Sequence, residues 1–209
     1  MSRLERLSER YADHHRRHRS RDFVFGAAER AEPLRRAVGG PGRRVLDVGC
    51  RSGALTQHYA AGNDVVGLDA DREALAEAAK LGIETVWADA DEPLPFADSS
   101  FDVVVAAELL EHLVEPERLV REAARVLRPG GTLAGSVPNA FRLKNRLRFL
   151  AGRGPETDPT HLHLFAPHDV VALLHDFDAP RLEYVVGRFV RFHPRLFATV
   201  IVFTARKPA

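Results

Sequence analysis

The turn after the first apolar run of the chain has the composition of a ligand-binding loop. Residues 45–53 read VLDVGCRSG, and Gly49 and Gly53 would let the backbone approach a ligand closely before it turns into a helix. In open α/β sheets, ligands bind at the carboxyl ends of strands such as this one. The spacing is Gly-x-x-x-Gly and not the Gly-x-Gly-x-x-Gly of dinucleotide binding, so a nicotinamide-dependent oxidoreductase is the weakest enzymatic interpretation.

Two further strand ends carry acidic residues that suit a nucleoside. Asp69 ends the run DVVGLD, where a carboxylate can accept hydrogen bonds from both hydroxyls of a ribose. Asp89 follows the run ETVWA, and its carboxylate can accept from an exocyclic amine while the N–H of Ala90 donates to a ring nitrogen. Because the three strand ends share one edge of the sheet, the sequence predicts a nucleoside-type site there.

Short apolar runs that alternate with helical patterns predict the sheet that would position these residues. The predicted strands are 45–48, 64–69, 84–88, 101–106 and 132–137. Each is too uniformly apolar to have a solvated face, which indicates parallel strands covered by helices on both sides. Segments 181–190 and 196–205 follow one another without a helix-length segment between them, which predicts an antiparallel pair at the sheet edge. We therefore predict a doubly wound α/β fold, with a mostly parallel, seven-stranded Rossmann-like sheet and an antiparallel last edge strand.

The helices that would cover this sheet are indicated by periodic apolar residues and by capping signals. Asp71 is a predicted N-cap, Pro116 lies in a predicted first turn, and Pro129 marks a predicted helix end. The predicted helices are 3–20, 26–38, 53–61, 71–80, 115–128, 141–151 and 167–176.

Four segments of the chain occur in an order typical of one enzyme family. They are VLDVGCRSG, GLDAD, ADADEPLPFADSSFDVVVAAELLEHL and LVREAARVLRPGG. From about residue 43 to residue 138 the chain resembles the class I S-adenosylmethionine-dependent methyltransferases. The later segment SVPNAFRLKNRLRFLAGRGPETDPTHLHLFAPHDVVALL is similar to the small MetW-type and other type-11 methyltransferases.

The resemblance implies S-adenosylmethionine as the cofactor and assigns each motif a part of it. Asp69, followed by Ala70, would hold the ribose, and Asp89 with Ala90 would bind the adenine. The residues expected against the methionine part are Asp47, Gly49, Cys50, Arg51 and Gly53, and those expected beside the sulfonium are Ala106 and Ala107.

Arg51 departs from the family pattern, which usually has glycine in the middle of this turn. We expect one of three positions for its side chain: crowding the carboxylate of the cofactor, pointing outward, or pairing with that carboxylate through its guanidinium group. Since the first would weaken binding, a cofactor-binding but non-catalytic partner or regulator is an alternative function.

Three histidines are candidates for the acceptor side. Methyl transfer requires an acceptor held in line with the methyl group, and a hydroxyl acceptor is helped by a base. His112 follows the fourth strand in the sequence ELLEH, where it could instead cap a helix or pair with Glu108. His161 and His163 share one face if the segment THLHLF is extended, and we expect them to line the acceptor pocket.

The histidines near the amino terminus have a spacing that suggests metal binding. His14 and His18 would share a helix face, with His15 next to them, but no third ligand follows at a suitable spacing. We therefore expect a solvated basic helix and predict no metal site. By the resemblance this helix acts as a lid over the cofactor, with Tyr11 as a contact.

The net charge of +1 is unevenly distributed. Residues 1–44 have twelve basic and six acidic side chains, residues 64–117 have two and fifteen, and residues 118–209 have fifteen and seven. The acidic middle suits a cofactor with a sulfonium charge. A nucleic-acid binder usually has a basic excess over the whole domain, so a nucleic-acid partner is not expected, and an RNA methyltransferase that uses the basic ends is a second alternative.

Residues 141–153 contain five basic and no acidic side chains, interleaved with leucine and phenylalanine. Such a stretch can contact a phosphate, a carboxylate or a membrane surface. The alternative is a helix that packs its apolar face on the domain and shows its arginines to water. With the first interpretation, the small-molecule acceptor would be anionic.

Length and cysteine content indicate one cytoplasmic domain. The chain has 209 residues and one cysteine, Cys50, which rules out an internal disulfide. It begins without a signal peptide and has no apolar run long enough to span a membrane. We expect a single domain that transfers a methyl group to an oxygen or nitrogen of a small molecule. Its expected parts are a helical lid (1–40), a cofactor-binding core (43–138), an acceptor-side insertion (139–180) and a strand pair (181–209).

Overall fold

The computed structural model describes residues 2–18, 25–155, 158 and 160–209, without the side chains of residues 14–18. The predicted solvated helix face at His14, His15 and His18 therefore lies outside the described side chains. The strands are β1 (Arg44–Val48), β2 (Asp64–Asp69), β3 (Glu84–Trp87), β4 (Phe101–Ala107), β5 (Leu127–Pro138), β6 (Asp178–Val185) and β7 (Val200–Arg206). The helices are α1 (Arg3–His18), α2 (Ala27–Val38), α3 (Gln57–Ala60), α4 (Arg72–Lys80), α5 (Pro116–Val126), α6 (Leu143–Leu150), α7 (Pro167–Leu173) and α8 (Pro194–Phe197), with a 3₁₀ helix at Leu110–His112.

The strands form one sheet in the order β3-β2-β1-β4-β5-β7-β6. Neighbouring strands from β3 to β5 are parallel, whereas β7 is antiparallel to both β5 and β6. The predicted seven-stranded Rossmann-like sheet with an antiparallel last strand is therefore confirmed. The last strand in the sequence lies between β5 and β6, so that β6 takes the outer position.

Both faces of the sheet are buried, which explains why its strands read as continuous apolar runs. Successive residues of β1, Val45 and Leu46, belong to different hydrophobic clusters. The cluster that contains Leu46 is covered by α5 and α7, and the one that contains Val45 is covered by α2 together with Tyr59 and Ala78. No helix within the described ranges is long and apolar enough to cross a bilayer.

In two regions of the chain, three elements are shorter than the sequence patterns indicate. The helix predicted at 53–61 is reduced to α3, because the backbone before it forms consecutive turns instead. The strand predicted at 181–190 ends at Val185, and the strand predicted at 196–205 begins at Val200, since the intervening chain forms turns and α8. Both departures occur where the chain borders the site described next.

Candidate active site

A cavity of about 420 Å³ opens at the carboxyl ends of β1, β2 and β4 and beside the end of β3. Its wall begins with the turn after β1 and continues along the strand ends that the sequence singled out. The chain between β5 and α7 closes the opposite side, and α1 contributes Leu7 and Tyr11. One cavity therefore joins the predicted nucleoside-type site to the predicted acceptor side.

The turn after β1 adopts a left-handed backbone at three positions. Gly49, Arg51 and Gly53 have φ angles of 79°, 51° and 76°. A Cβ atom on Gly49 would lie 3.1 Å from the Leu109 side chain, so glycine keeps this part of the cavity wall open. Arg51 takes a conformation that favours glycine, which is a physical reason for the glycine usual in the family at this position.

Asp47 lies beneath this turn, fully buried at the end of β1. Its Oδ2 atom accepts hydrogen bonds from the hydroxyls of Thr56 and Tyr59, both at 2.6 Å. Burial raises the pKa of Asp47 to about 6, although the two hydroxyls oppose that rise. Asp47 lines the cavity and also fixes α3 against β1.

Asp69 connects the ends of β1 and β2. Its Oδ2 atom accepts the Arg51 N–H at 2.9 Å, and its Oδ1 atom accepts the Asp71 N–H at 2.8 Å. Burial raises the pKa of Asp69 above its usual range, and the two backbone N–H groups oppose this. A carboxylate has about four acceptor positions, so both oxygens keep capacity for ligand hydroxyls. Ala70 follows in the cavity wall.

Asp89 and Ala90 line the same end of the cavity, under the amino-terminal helix. The Arg3 guanidinium lies 3.1 Å from Asp89 and 3.3 Å from Asp91. The Arg72 N–H also donates to a side chain of this helix, the Ser8 hydroxyl. Helix α1 thus lies over this end of the cavity, where the sequence places a lid, and Tyr11 is among its wall residues as expected.

Another part of the cavity wall is built by the 3₁₀ helix after β4, and the Val114 N–H that follows this helix donates to Asp91 Oδ1 at 2.9 Å. His112 Nδ1 lies 3.2 Å from both the carbonyl oxygen and the hydroxyl of Thr160. A carbonyl oxygen only accepts, so Nδ1 carries the proton and Nε2 is the nitrogen that can take another. Glu108, the alternative partner considered for His112, accepts a hydrogen bond from the Ser136 hydroxyl at 3.1 Å.

The segment that carries the other two histidines returns to this 3₁₀ helix from the distant chain. The N–H groups of Leu162 and His163 both donate to the carbonyl oxygen of Glu111. This brings the His161 ring edge-on to the His112 ring, with centroids 4.8 Å apart. His163 Nε2 donates to the Leu113 carbonyl oxygen at 2.9 Å. All three predicted histidines line the cavity, and His163 also anchors the segment.

Glu111 was not predicted from the sequence, and it lies in the same wall. Its side chain is 1% exposed, and neither carboxylate oxygen has a hydrogen-bond partner among the described residues. Burial, with the nearby Glu108 charge, raises its pKa well above the usual range. One ligand atom each from Glu111, His112 and His161 lies within 4.8 Å of the others. This cluster can hold and exchange a proton, and its donor types also suit a divalent cation, which the sequence analysis did not predict.

Two residues expected at the cofactor lie outside this wall. A Cβ atom on Gly53 would lie 2.7 Å from Ile83 Cδ1, so this glycine faces the start of β3 and serves the turn. Ala106 is buried in the cluster covered by α5, whereas Ala107 lines the cavity. Successive side chains of a strand point to opposite faces, so only one of the two alanines can reach the site.

The buried carboxyl of Asp47 is expected to make stability depend on pH. Its pKa is about 6 in the folded protein against 3.8 as the ordinary value. The contribution of protonated Asp47 to the free energy of unfolding is complete below pH 3.8 and is lost as the pH rises through about 6. Asp47→Asn removes this loss, so its stability relative to wild type should rise by about 3 kcal/mol between pH 3.5 and pH 7. Urea unfolding across that range measures this difference.

Asp64→Asn provides the matched control, because Asp64 lies on the neighbouring strand with an exposed side chain. Its stability relative to wild type should stay nearly constant over the same pH range. A difference in the free energy of unfolding between wild type and Asp47→Asn that does not change with pH would contradict the raised pKa of Asp47.

Comparison with known proteins agrees with this geometry. Residues 46–135 match the family model described as a methyltransferase domain. The chain is 36% identical over 160 residues to a probable S-adenosylmethionine-dependent methyltransferase of Mycobacterium tuberculosis, covering 70% of this chain and 56% of that protein. It is 37% identical over 113 residues to a ubiquinone biosynthesis O-methyltransferase of Aliivibrio fischeri, covering 51% and 48%. The chain thus spans about half the length of these curated relatives.

Solved structures show the same fold. A SAM-dependent methyltransferase from Archaeoglobus fulgidus superposes with a TM-score of 0.71 at 19% identity, covering 94% of this chain and 99% of that one. The match to the family model extends from β1 into β5 and so includes the strand ends that form the cavity. Residues 46–135 therefore match a methyltransferase domain, and the relatives that the chain resembles include a probable S-adenosylmethionine-dependent methyltransferase.

Proposed function

We propose that this protein transfers a methyl group from S-adenosylmethionine to an oxygen or nitrogen atom of a small-molecule acceptor. The observation that carries the proposal is the single cavity that joins two chemically different ends. One end has Asp69 and Asp89 at successive strand ends, and the other has Glu111, His112 and His161. The O-methyltransferase named for ubiquinone biosynthesis supports an oxygen acceptor.

The residues present fit S-adenosylmethionine. The open turn at Gly49 gives a ligand close access to the backbone, and Asp69 keeps acceptor capacity for ribose hydroxyls. The half-buried Asp89 and the neighbouring Ala90 offer an acceptor and an N–H for adenine. When bound, the cofactor supplies an electrophilic methyl group on a positively charged sulfur.

His112 is the base that we assign to the acceptor. Its Nδ1–H is held by the two oxygen atoms of Thr160, whose hydroxyl in turn donates to Asp158 at 2.6 Å. This series of hydrogen bonds orients the ring, and Nε2 would take the proton of a hydroxyl or an ammonium group. The carboxyl group of Glu111 would stabilise the imidazolium that forms on His112. The positive charge of the imidazolium would in turn favour the ionised form of Glu111.

The acceptor would lie between this cluster and the chain that follows β5. Asn139 lines the cavity, and its buried Oδ1 atom has no hydrogen-bond partner among the described residues. It can therefore accept from an O–H or N–H group of the acceptor. Arg142, whose Nη1 donates to the Thr199 hydroxyl at 3.1 Å, adds a positive charge to the same wall. This charge supports an anionic acceptor.

Cofactor binding can be measured with Trp87, the only tryptophan of the chain. Its indole N–H donates to the carbonyl oxygen of Ala70, a residue of the cavity wall. S-adenosylmethionine and S-adenosylhomocysteine should each change the emission in a saturable way and raise the melting temperature, because both bind the folded state. NAD is the control and should do neither. A response to NAD alone, or to none of the three, would contradict the proposed cofactor.

Methyl transfer requires a separate assay. Radiolabelled S-adenosylmethionine should transfer its methyl group to members of a panel of phenols, carboxylates and amines. Saturable cofactor binding without transfer to any member would favour the non-catalytic alternative. Label that appears in RNA, with retention of RNA that falls steeply as salt rises, would favour the RNA methyltransferase.

A further inference from the structure

Helix α6 buries an asparagine and exposes most of its apolar side chains. Asn145 is its one fully buried side chain, and it donates a hydrogen bond to the Ala140 carbonyl oxygen at 2.9 Å. Three of its apolar side chains are exposed, Leu147 to 56%, Phe149 to 44% and Leu150 to 84%, while Leu143 is half-buried. This is the reverse of the packing that a soluble helix adopts to bury apolar area. The sequence-based alternative of a helix packed by its apolar face does not describe Leu147, Phe149 and Leu150.

A second exposed apolar segment lies beside it. The loop before α8 presents Phe192 at 85% exposure and Phe189 at 46%. Helix α6 packs against α8, and Asn139 Nδ2, just before α6, donates to the carbonyl oxygens of Arg195 and Ala198. The two segments therefore form one surface, which we call the α6–α8 surface (residues 141–155 and 186–199).

The charge of this surface has one sign. The two segments contain no acidic residue and have eight basic ones. These are Arg142, Lys144, Arg146, Arg148, Arg153, Arg188, Arg191 and Arg195. Apolar side chains framed by arginine and lysine are typical of protein surfaces that rest on anionic lipid headgroups.

The α6–α8 surface also borders the cavity. Arg142 and Asn145 line the cavity from the α6 side, and Thr199 lines it from the end of the α8 side. Leu164, which lines the cavity as well, is 41% exposed at its rim. A molecule that lies in a bilayer under this surface would thus be next to the acceptor end of the cavity.

We propose that the α6–α8 surface binds the face of an anionic lipid bilayer, with the exposed leucine and phenylalanine side chains inserted among the acyl chains. A second copy of the chain is disfavoured as the occupant, because it would bring two surfaces of the same positive sign together. A small soluble anion would pair with the arginines but leave the apolar side chains in water. An anionic bilayer would pair its headgroups with the basic side chains and bury the apolar side chains among its acyl chains.

Vesicle flotation with the full chain tests this directly. The probes are vesicles of phosphatidylcholine alone and vesicles with about one third phosphatidylglycerol. The protein should float with the anionic vesicles and at least about tenfold less with the neutral ones, and raised salt should release it. The assay contains neither cofactor nor acceptor, so its outcome is independent of the proposed methyl transfer.

Variants separate the contribution of the apolar side chains to vesicle binding from that of the basic side chains. Leu150→Ser with Phe192→Ser should lower flotation at least about tenfold by removing the inserted side chains, and Arg188→Gln with Arg191→Gln should remove the preference for anionic lipid. The matched controls are Val171→Ser and Arg121→Gln, which lie on other exposed surfaces and should float like wild type.

Three outcomes would overturn the proposal. The first is equal flotation with both vesicle types, and the second is an equal loss of flotation in the control variants. The third is a stable dimer in gel filtration that Leu150→Ser with Phe192→Ser dissociates, which would assign the surface to a second copy.

Discussion

Replacement of His112 by alanine is expected to lower kcat for methyl transfer by about 10²–10⁴-fold, the usual contribution of a general base. The side chain removed is the one whose Nδ1–H is held by Thr160 and whose Nε2 can receive the acceptor proton. Cofactor binding should be nearly unchanged, because the groups assigned to the ribose and the adenine are Asp69, Asp89 and Ala90 and do not include His112. Rates with radiolabelled cofactor and titration of Trp87 emission measure the two quantities separately.

His168→Ala is the matched control, because His168 is highly exposed at the start of α7 and lies outside the cavity wall. It should keep wild-type kcat. An undiminished kcat in His112→Ala would remove His112 as the base. A loss of cofactor affinity as large as the loss of kcat would instead assign His112 a structural role.

Replacement of Asp69 by alanine is expected to weaken S-adenosylmethionine binding by about 10²-fold or more, since hydrogen bonds to a charged group contribute about 1.5–3 kcal/mol each. The change also removes the acceptor for the backbone N–H groups of Arg51 and Asp71, so the turn after β1 loses part of its support. The dissociation constant from Trp87 emission is the measurement, and circular dichroism checks that the fold is retained.

Asp69→Asn keeps one oxygen acceptor and should lose less affinity than Asp69→Ala. Asp64→Ala alters an exposed carboxylate at the other end of the same strand and should bind like wild type. Equal affinity in Asp69→Ala and wild type, with both folded, would refute a role for Asp69 in holding the cofactor.

The sequence predicted the sheet and one end of the cavity because both depend on local patterns. Strands buried on both faces read as uniform apolar runs, and Asp69 and Asp89 could be placed at one sheet edge as soon as their strands were identified. The C-terminal strand pair was also predicted, but its order was not. The position of β7 between β5 and β6 depends on which strand pairs with β5, and the signal available was that β7 begins with the uniform apolar run VIVF whereas β6 includes polar and charged residues.

The acceptor side was predicted less completely, because it depends on contacts between distant segments. Glu111 reads as an ordinary polar residue after a strand, and it is buried where Leu162 and His163 return and donate to its carbonyl oxygen. Its position between leucines in LLEHL was the available signal. The orientation of α6 was equally hidden, since the sequence of an amphipathic helix does not tell which side faces the domain.

The position of β7 has a consequence for how the protein is made. Strands β5 and β6 do not pair with each other. Strand β7 lies between them and pairs with both through Val200–Arg206. During synthesis the ribosome releases β5 and β6 first, and each then exposes an unpaired edge that can join other chains. The sheet is completed only when the residues of β7 emerge, so the slow, nonlocal step of folding follows translation of that strand.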